Sequence, residues 1–103
     1  DFRSFFEEWS EWWRILKPGG LFLGMSPHWS SGWCWGDPGH TRAYGPELLT
    51  FLKQPAYTEQ IGNSPMTDYR FVYLADFDIM HSQVDGGAFS YVLQAVKPSR
   101  IKA

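Results

Sequence analysis

Apolar residues recur at helical spacing over residues 2–16. Phe2, Phe5, Phe6, Trp9, Trp12, Trp13 and Leu16 share one face, and Arg3, Glu7, Glu8, Glu11 and Arg14 share the other. Glu11 and Arg14, three apart, and Arg3 and Glu7, four apart, are spaced to pair along the polar face. Asp1 stands where a helix cap belongs. Pro18-Gly19-Gly20 ends the helix, since proline cannot continue it and glycine accepts left-handed geometry. A stripe of this kind ordinarily faces a core. The apolar run 21–25 follows directly. It reads as a strand apolar on both faces, hence an interior strand of a sheet covered on both sides.

Periodicity stops over residues 26–45, which hold Trp29, Trp33, Trp35 and Tyr44 among glycines and prolines. So many rings argue against disorder and for an ordered loop folded over something. Pro46-Glu47 opens a second helix, with Leu48, Leu49, Phe51 and Leu52 on its apolar side, and it should stop before Pro55. Residues 56–67 read as irregular, with turn chemistry at Gly62-Asn63-Ser64-Pro65. Alternation predicts strands over 68–77 and 88–97, joined as an antiparallel hairpin through a long connection that contains the Asp85-Gly86-Gly87 turn. Pro98 closes the last strand, and residues 99–103 read as a tail. The expected fold is α/β: a mixed three-stranded sheet with two main helices, forming one domain over residues 1–103.

Composition narrows the function classes. With 44% hydrophobic and 19% charged residues the chain is globular. A net charge of −2 gives no electrostatic case for nucleic acid or an anionic membrane as partner. No apolar run approaches the roughly 20 residues of a membrane span, and a cytoplasmic location is expected. The single cysteine, Cys34, excludes an intrachain disulfide. The anomaly is aromatic content: 6 Trp, 5 Tyr and 8 Phe carry more ring surface than a small domain easily hides. The sequence opens on Asp1 rather than Met and reads as if it begins inside something longer.

The segment Trp13-Arg14-Ile15-Leu16-Lys17-Pro18-Gly19-Gly20-Leu21-Phe22 resembles one in class I S-adenosylmethionine-dependent methyltransferases. There a helix ending in Arg-x-Leu-Lys-Pro-Gly-Gly runs into the fifth strand of a seven-stranded sheet. Asp37-Pro38-Gly39-His40-Thr41-Arg42, followed by Pro46 and Leu48-Leu49, is similar to the Asp-Pro-x-His-x-Arg loop and helix of a bacterial subgroup. The hairpin over 68–97 is similar to the family's final antiparallel pair. The family binds its cofactor in its first half, through a glycine-rich turn and an acidic residue that holds the ribose. Neither is present, because Gly19-Gly20 and Gly86-Gly87 belong to a helix exit and a hairpin turn. The resemblance therefore implies a partial Rossmann-like fold, the C-terminal half of such an enzyme. S-adenosylmethionine would be bound in the complete enzyme, and no cofactor by these residues alone.

His28, Cys34, Asp37 and His40 are all possible metal ligands, but their spacing matches no common zinc pattern, and no metal is expected. His40 and Asp37 are more simply read as bonding their own loop's backbone, with an Asx-turn at Asp37-Pro38. Trp33, Trp35, Arg42 and Tyr44 are the candidate substrate-binding residues: the rings as pocket walls, Arg42 as a clamp for a carboxylate. His40 is the candidate catalytic base. Cys34 reads as a small buried hydrophobe and His81 as a solvated loop residue.

Two functions follow from these readings. The first is the C-terminal portion of a methyltransferase acting on a small molecule, inactive without its cofactor-binding half. The second is a stand-alone homo-oligomeric module, for small-ligand binding or assembly, derived from that fold. The expected partner is a second copy, giving a homodimer through the 21–25 edge or the 2–16 helix, or else the missing N-terminal half.

Overall fold

A computed structural model describes residues 2–37 and 42–102. Asp1, the expected helix cap, lies outside them. The first helix, α1 (Phe2–Ile15), buries Phe5, Phe6 and Trp9, as its period predicts. Arg14 and Glu11 pair on its exposed face. The chain then forms β1 (Leu21–Pro27), α2 (Gly32–Gly36), α3 (Pro46–Thr50), α4 (Gln54–Gln60), β2 (Phe77–Asp85) and β3 (Ala88–Ala95). The fold is α/β, with one open sheet in the order β1-β3-β2.

The sheet is antiparallel throughout, not mixed: β3 lies between β1 and β2 and runs against both. β1 and β2 thus point the same way without touching. β1 is an edge strand rather than an interior one. Leu21, Leu23 and Met25 are exposed, and only alternate positions turn toward the core. Phe22, the position facing Leu93, meets Trp9 with ring centroids 4.8 Å apart. The apolar run looked two-sided because its outward positions, Leu21, Leu23 and Met25, are apolar like Phe22 on the inward face. A Cβ at Gly24 would overlap the Tyr91 ring, so the position is glycine because Tyr91 lies across it.

The strand expected over 68–77 does not form. Tyr69, Phe71 and Tyr73 sit around a turn in which Val72 and Tyr73 both donate to the Tyr69 carbonyl. Tyr69 and Tyr73 both reach Phe6, at 5.1 and 5.0 Å. The second strand is 77–85 instead, and its connection to β3 is short. Gly86 and Gly87, with φ of 57° and 87°, make the two-residue turn that suits strand twist. The helix from Pro46 does stop before Pro55, but Pro55 opens another. It sits in the first turn of α4, where no backbone donor is needed, so part of the segment expected to be irregular is helical. The helix from Pro46 is only five residues long.

Residues 99–103 are not a loose tail as far as they are described. Asp76, fully buried, accepts from the Gln54 N–H at 2.9 Å, the Arg100 N–H at 2.9 Å and the Arg100 Nε at 2.7 Å. Arg100 also reaches Asp78 at 2.7 Å. Both carboxylates hold the guanidinium well above its usual pKa range, the Asp76 bond most of all. Arg70 donates to the Lys102 carbonyl at 3.0 Å. The core joins Phe5, Phe6 and Trp9 to Leu49, Leu52, Tyr57, Tyr73 and the inward face of β3. No helix among the described residues is long and apolar enough to cross a membrane.

Candidate functional site

The sequence candidates fall in the segment that leaves β1. Its first residue, His28, donates its N–H to the Gly87 carbonyl at 2.7 Å, which ties the loop to the hairpin turn. His28 also bridges to Tyr44, and the Trp29 N–H donates to the Tyr44 carbonyl at 3.0 Å, so the loop closes on itself. Nδ1 of His28 accepts from the Ser30 N–H at 3.2 Å and lies 2.7 Å from Ser30 Oγ. Ser31 Oγ caps α2 by accepting from the Trp33 N–H. One turn of helix then buries Cys34 and turns Trp33 and Trp35 outward, 76% and 69% exposed. Trp35 is held by its indole N–H, which donates to the Trp29 carbonyl at 2.6 Å.

Trp33 walls a groove of about 500 Å³ completed by Met25, Ser26, Pro27, Ser31 and the turn Gly86–Ala88. None of these residues is charged, so the groove suits an uncharged, apolar or ring-bearing molecule. Arg42 and Tyr44 are placed against α1. The Arg42 guanidinium lies 4.6 Å from the Phe5 ring centroid, within cation–π range. It borders a cavity of about 120 Å³ whose walls include Phe2, Phe6, Phe51 and Tyr69. Tyr44 stacks on Tyr91 at 6.2 Å and 14°. Burial raises its hydroxyl pKa, and a hydrogen bond with Trp9 works against that.

His40, the candidate base, and Pro38 of the expected Asx-turn lie outside the described residues. Among the described residues no group of three or more His, Cys, Asp or Glu side chains comes together to hold a metal. His81 lies on β2, not in a connection, and is exposed. No local pattern pointed to Met25 and the hairpin turn as partners of Trp33. They meet it only because β1 and β3 pair over long range. Comparison of the chain with protein-family models, with curated proteins and with solved structures finds no match.

Proposed function

We propose that the chain is the C-terminal portion of an S-adenosylmethionine-dependent methyltransferase of Rossmann-like descent, acting on a small molecule in the cytoplasm. The observation that carries this reading is the joint between α1 and the sheet. The Leu16-Lys17-Pro18-Gly19-Gly20 segment, the part of the sequence that resembles the family, is built into the fold at every step. The Gly19 N–H donates to the Ala95 carbonyl at 2.8 Å, and the Ala95 N–H returns a bond to Gly20. Gln94 Nε2 donates to the Gly19 carbonyl, and Lys97 Nζ to the Leu16 carbonyl. Gly19 takes a φ of 79°, where other residues are strained. The closing antiparallel hairpin adds support.

The glycine pairs here do not fit a cofactor cradle. Gly19 and Gly20 give their N–H groups to the carbonyls of Ala95 and Lys17, and Gly86-Gly87 makes the hairpin turn. On this reading the cofactor is held by residues outside this chain and the Trp33 groove takes the substrate, with His40 as base, while Arg42 and Tyr44, placed on Phe5 and Tyr91, lie outside the groove's lining. The test is titration calorimetry with S-adenosylmethionine on two proteins: the 103-residue chain and the same chain expressed with the coding sequence that precedes it. The longer product should bind and support methyl transfer, and the chain alone should not bind. Micromolar affinity in the chain alone, or none in the longer product, overturns the reading.

A second reading is a homo-oligomeric module of the same descent. It is favoured by one observation, the exposed stripe Leu21, Leu23 and Met25 on an edge strand.

A further inference from the structure

The phase of the β1–β3 ladder fixes which backbone groups of β1 stand open. His28 N–H bonds to Gly87 and Ala95 N–H to Gly20, with β1 and β3 in continuous register between them. In an antiparallel ladder bonded pairs alternate with unbonded ones. The even-numbered residues of β1 therefore bond to β3. Leu21, Leu23 and Met25 turn their N–H and C=O groups toward the open edge. Pro27, which has no N–H, falls in the same outward phase at the strand's end, where a missing donor breaks no ladder bond.

The two edges differ in how they meet solvent. β2 carries Asp78, His81 and Asp85 and an irregularity between Ile79 and His81, the usual protections of an exposed edge. Residues 20–27 carry no charge at all. The open edge of β1 is flanked by apolar surface on both faces of the sheet. Leu21, Leu23 and Met25, 51–76% exposed, lie on the bare face. Trp12, 39% exposed, lies on the helix face with its ring 5.3 Å from that of Phe22.

We propose that two copies of the chain pair through β1, antiparallel, about a twofold axis at Leu23. A strand that fits this edge must be extended, uncharged and apolar at alternate positions, with its own donors and acceptors turned outward. Residues 21–27 of a second copy meet each condition. Centred on Leu23, the register sets Leu23 opposite Leu23 and Leu21 opposite Met25. It closes about six backbone hydrogen bonds, since each outward pair exchanges two. It also leaves Pro27 beyond the bonded pairs. The apolar surface covered by the stripe and Trp12 is on the order of 300–400 Å² per copy, below the ~800 Å² of a standard interface, which places the pair among weak, transient associations. The proposal rests on the second reading above, and the outcome of the S-adenosylmethionine titration bears only on the first.

The test combines sedimentation across micromolar concentrations with amide hydrogen exchange resolved by residue. A dimer is expected whose formation protects the amides of Leu21, Leu23 and Met25, while those of Phe22 and Gly24 are protected at every concentration. Leu23→Lys places two ammonium groups face to face at the axis and should weaken pairing at least tenfold. Gln83→Lys on the β2 edge should leave it unchanged. A chain that stays monomeric throughout overturns the proposal. So does a dimer that survives Leu23→Lys, or one whose concentration-dependent protection lies elsewhere.

Discussion

The two edge strands of this sheet are held by opposite means. β2 is anchored at its start by a buried carboxylate. Asp76 accepts two backbone N–H groups and a guanidinium, drawing together the start of α4, the C-terminal segment and the strand itself. β1 has no such anchor among the described residues and is fitted by shape: Trp9 packs on Phe22 at 4.8 Å, and Tyr91 lies across Gly24. The polar anchor fixes one geometry and tolerates little. The apolar edge tolerates more and leaves surface over.

The largest expected effect tests the anchor. Asp76→Ala leaves the Gln54 and Arg100 N–H groups without their acceptor and frees the arginine. Breaking a buried pair by removing one partner costs about 3 kcal/mol or more. Arg100→Ala should cost less, because its side chain is 37% exposed and water takes over part of its solvation. Urea unfolding of both variants measures the difference. Equal losses would mean that the guanidinium, and not the pair of backbone donors, carries the anchor.

That anchor was not legible in the sequence, and the reason is physical. Asp76 and Arg100 are linked by long-range packing, and nothing in the local pattern around residue 100 distinguishes a held segment from a tail. α1 and β3 were legible because each has one buried face and a clean period. Residues 68–77 alternate as a strand should, yet Tyr69 and Tyr73 are used four apart around a turn against Phe6. β2 itself alternates poorly because it is a polar, irregular edge. At the candidate site, the rings were expected as walls of a pocket under an ordered loop, and Trp29, Trp33 and Trp35 instead stand exposed. The groove beside Trp33 depends on where the hairpin turn lands, which no local pattern encodes.

The next effect tests the fit of β1. Gly24→Ala drives a methyl group into the Tyr91 ring, and the ring cannot yield without disturbing Tyr44, stacked on it at 6.2 Å. Overpacking of this kind costs about 1–3 kcal/mol. The double variant Gly24→Ala with Tyr91→Leu should recover part of the loss. If it recovers none, the strain lies in the backbone of β1 and not in the ring.

Alkaline pH loosens the same contact. Burial pushes the Tyr91 hydroxyl up to about 12, and the negative Glu8 and Tyr44 nearby act in the same direction. The folded chain holds this proton more tightly than the unfolded chain, where tyrosine titrates near 10. Stability from Tyr91 is therefore intact below about pH 10 and lost as pH rises toward 12, by about 1 kcal/mol near pH 11. Burial also raises Tyr44, Tyr57 and Tyr73, so all four slope the same way. Stability measured across this range should fall less steeply in Tyr91→Phe. An unchanged slope would assign the alkaline loss to the other three.

The smallest effect has the opposite sign, and it sharpens the comparison most. Ser26, near the end of β1, carries a buried hydroxyl with no hydrogen-bond partner among the described residues. Its position faces Phe89, whose side chain is fully buried. Removing the Asp76 carboxylate strands the donors that it satisfies. At Ser26 there is no bond to break, and Ala removes a desolvated oxygen from an apolar setting. Ser26→Ala should therefore raise stability, by roughly 0.5–1 kcal/mol. Both substitutions delete a buried oxygen next to an edge strand, so opposite signs would show that satisfaction, not polarity, separates the two edges. A drop in stability in Ser26→Ala would mean the hydroxyl is bonded in solution, and β1 would then have a polar anchor of its own.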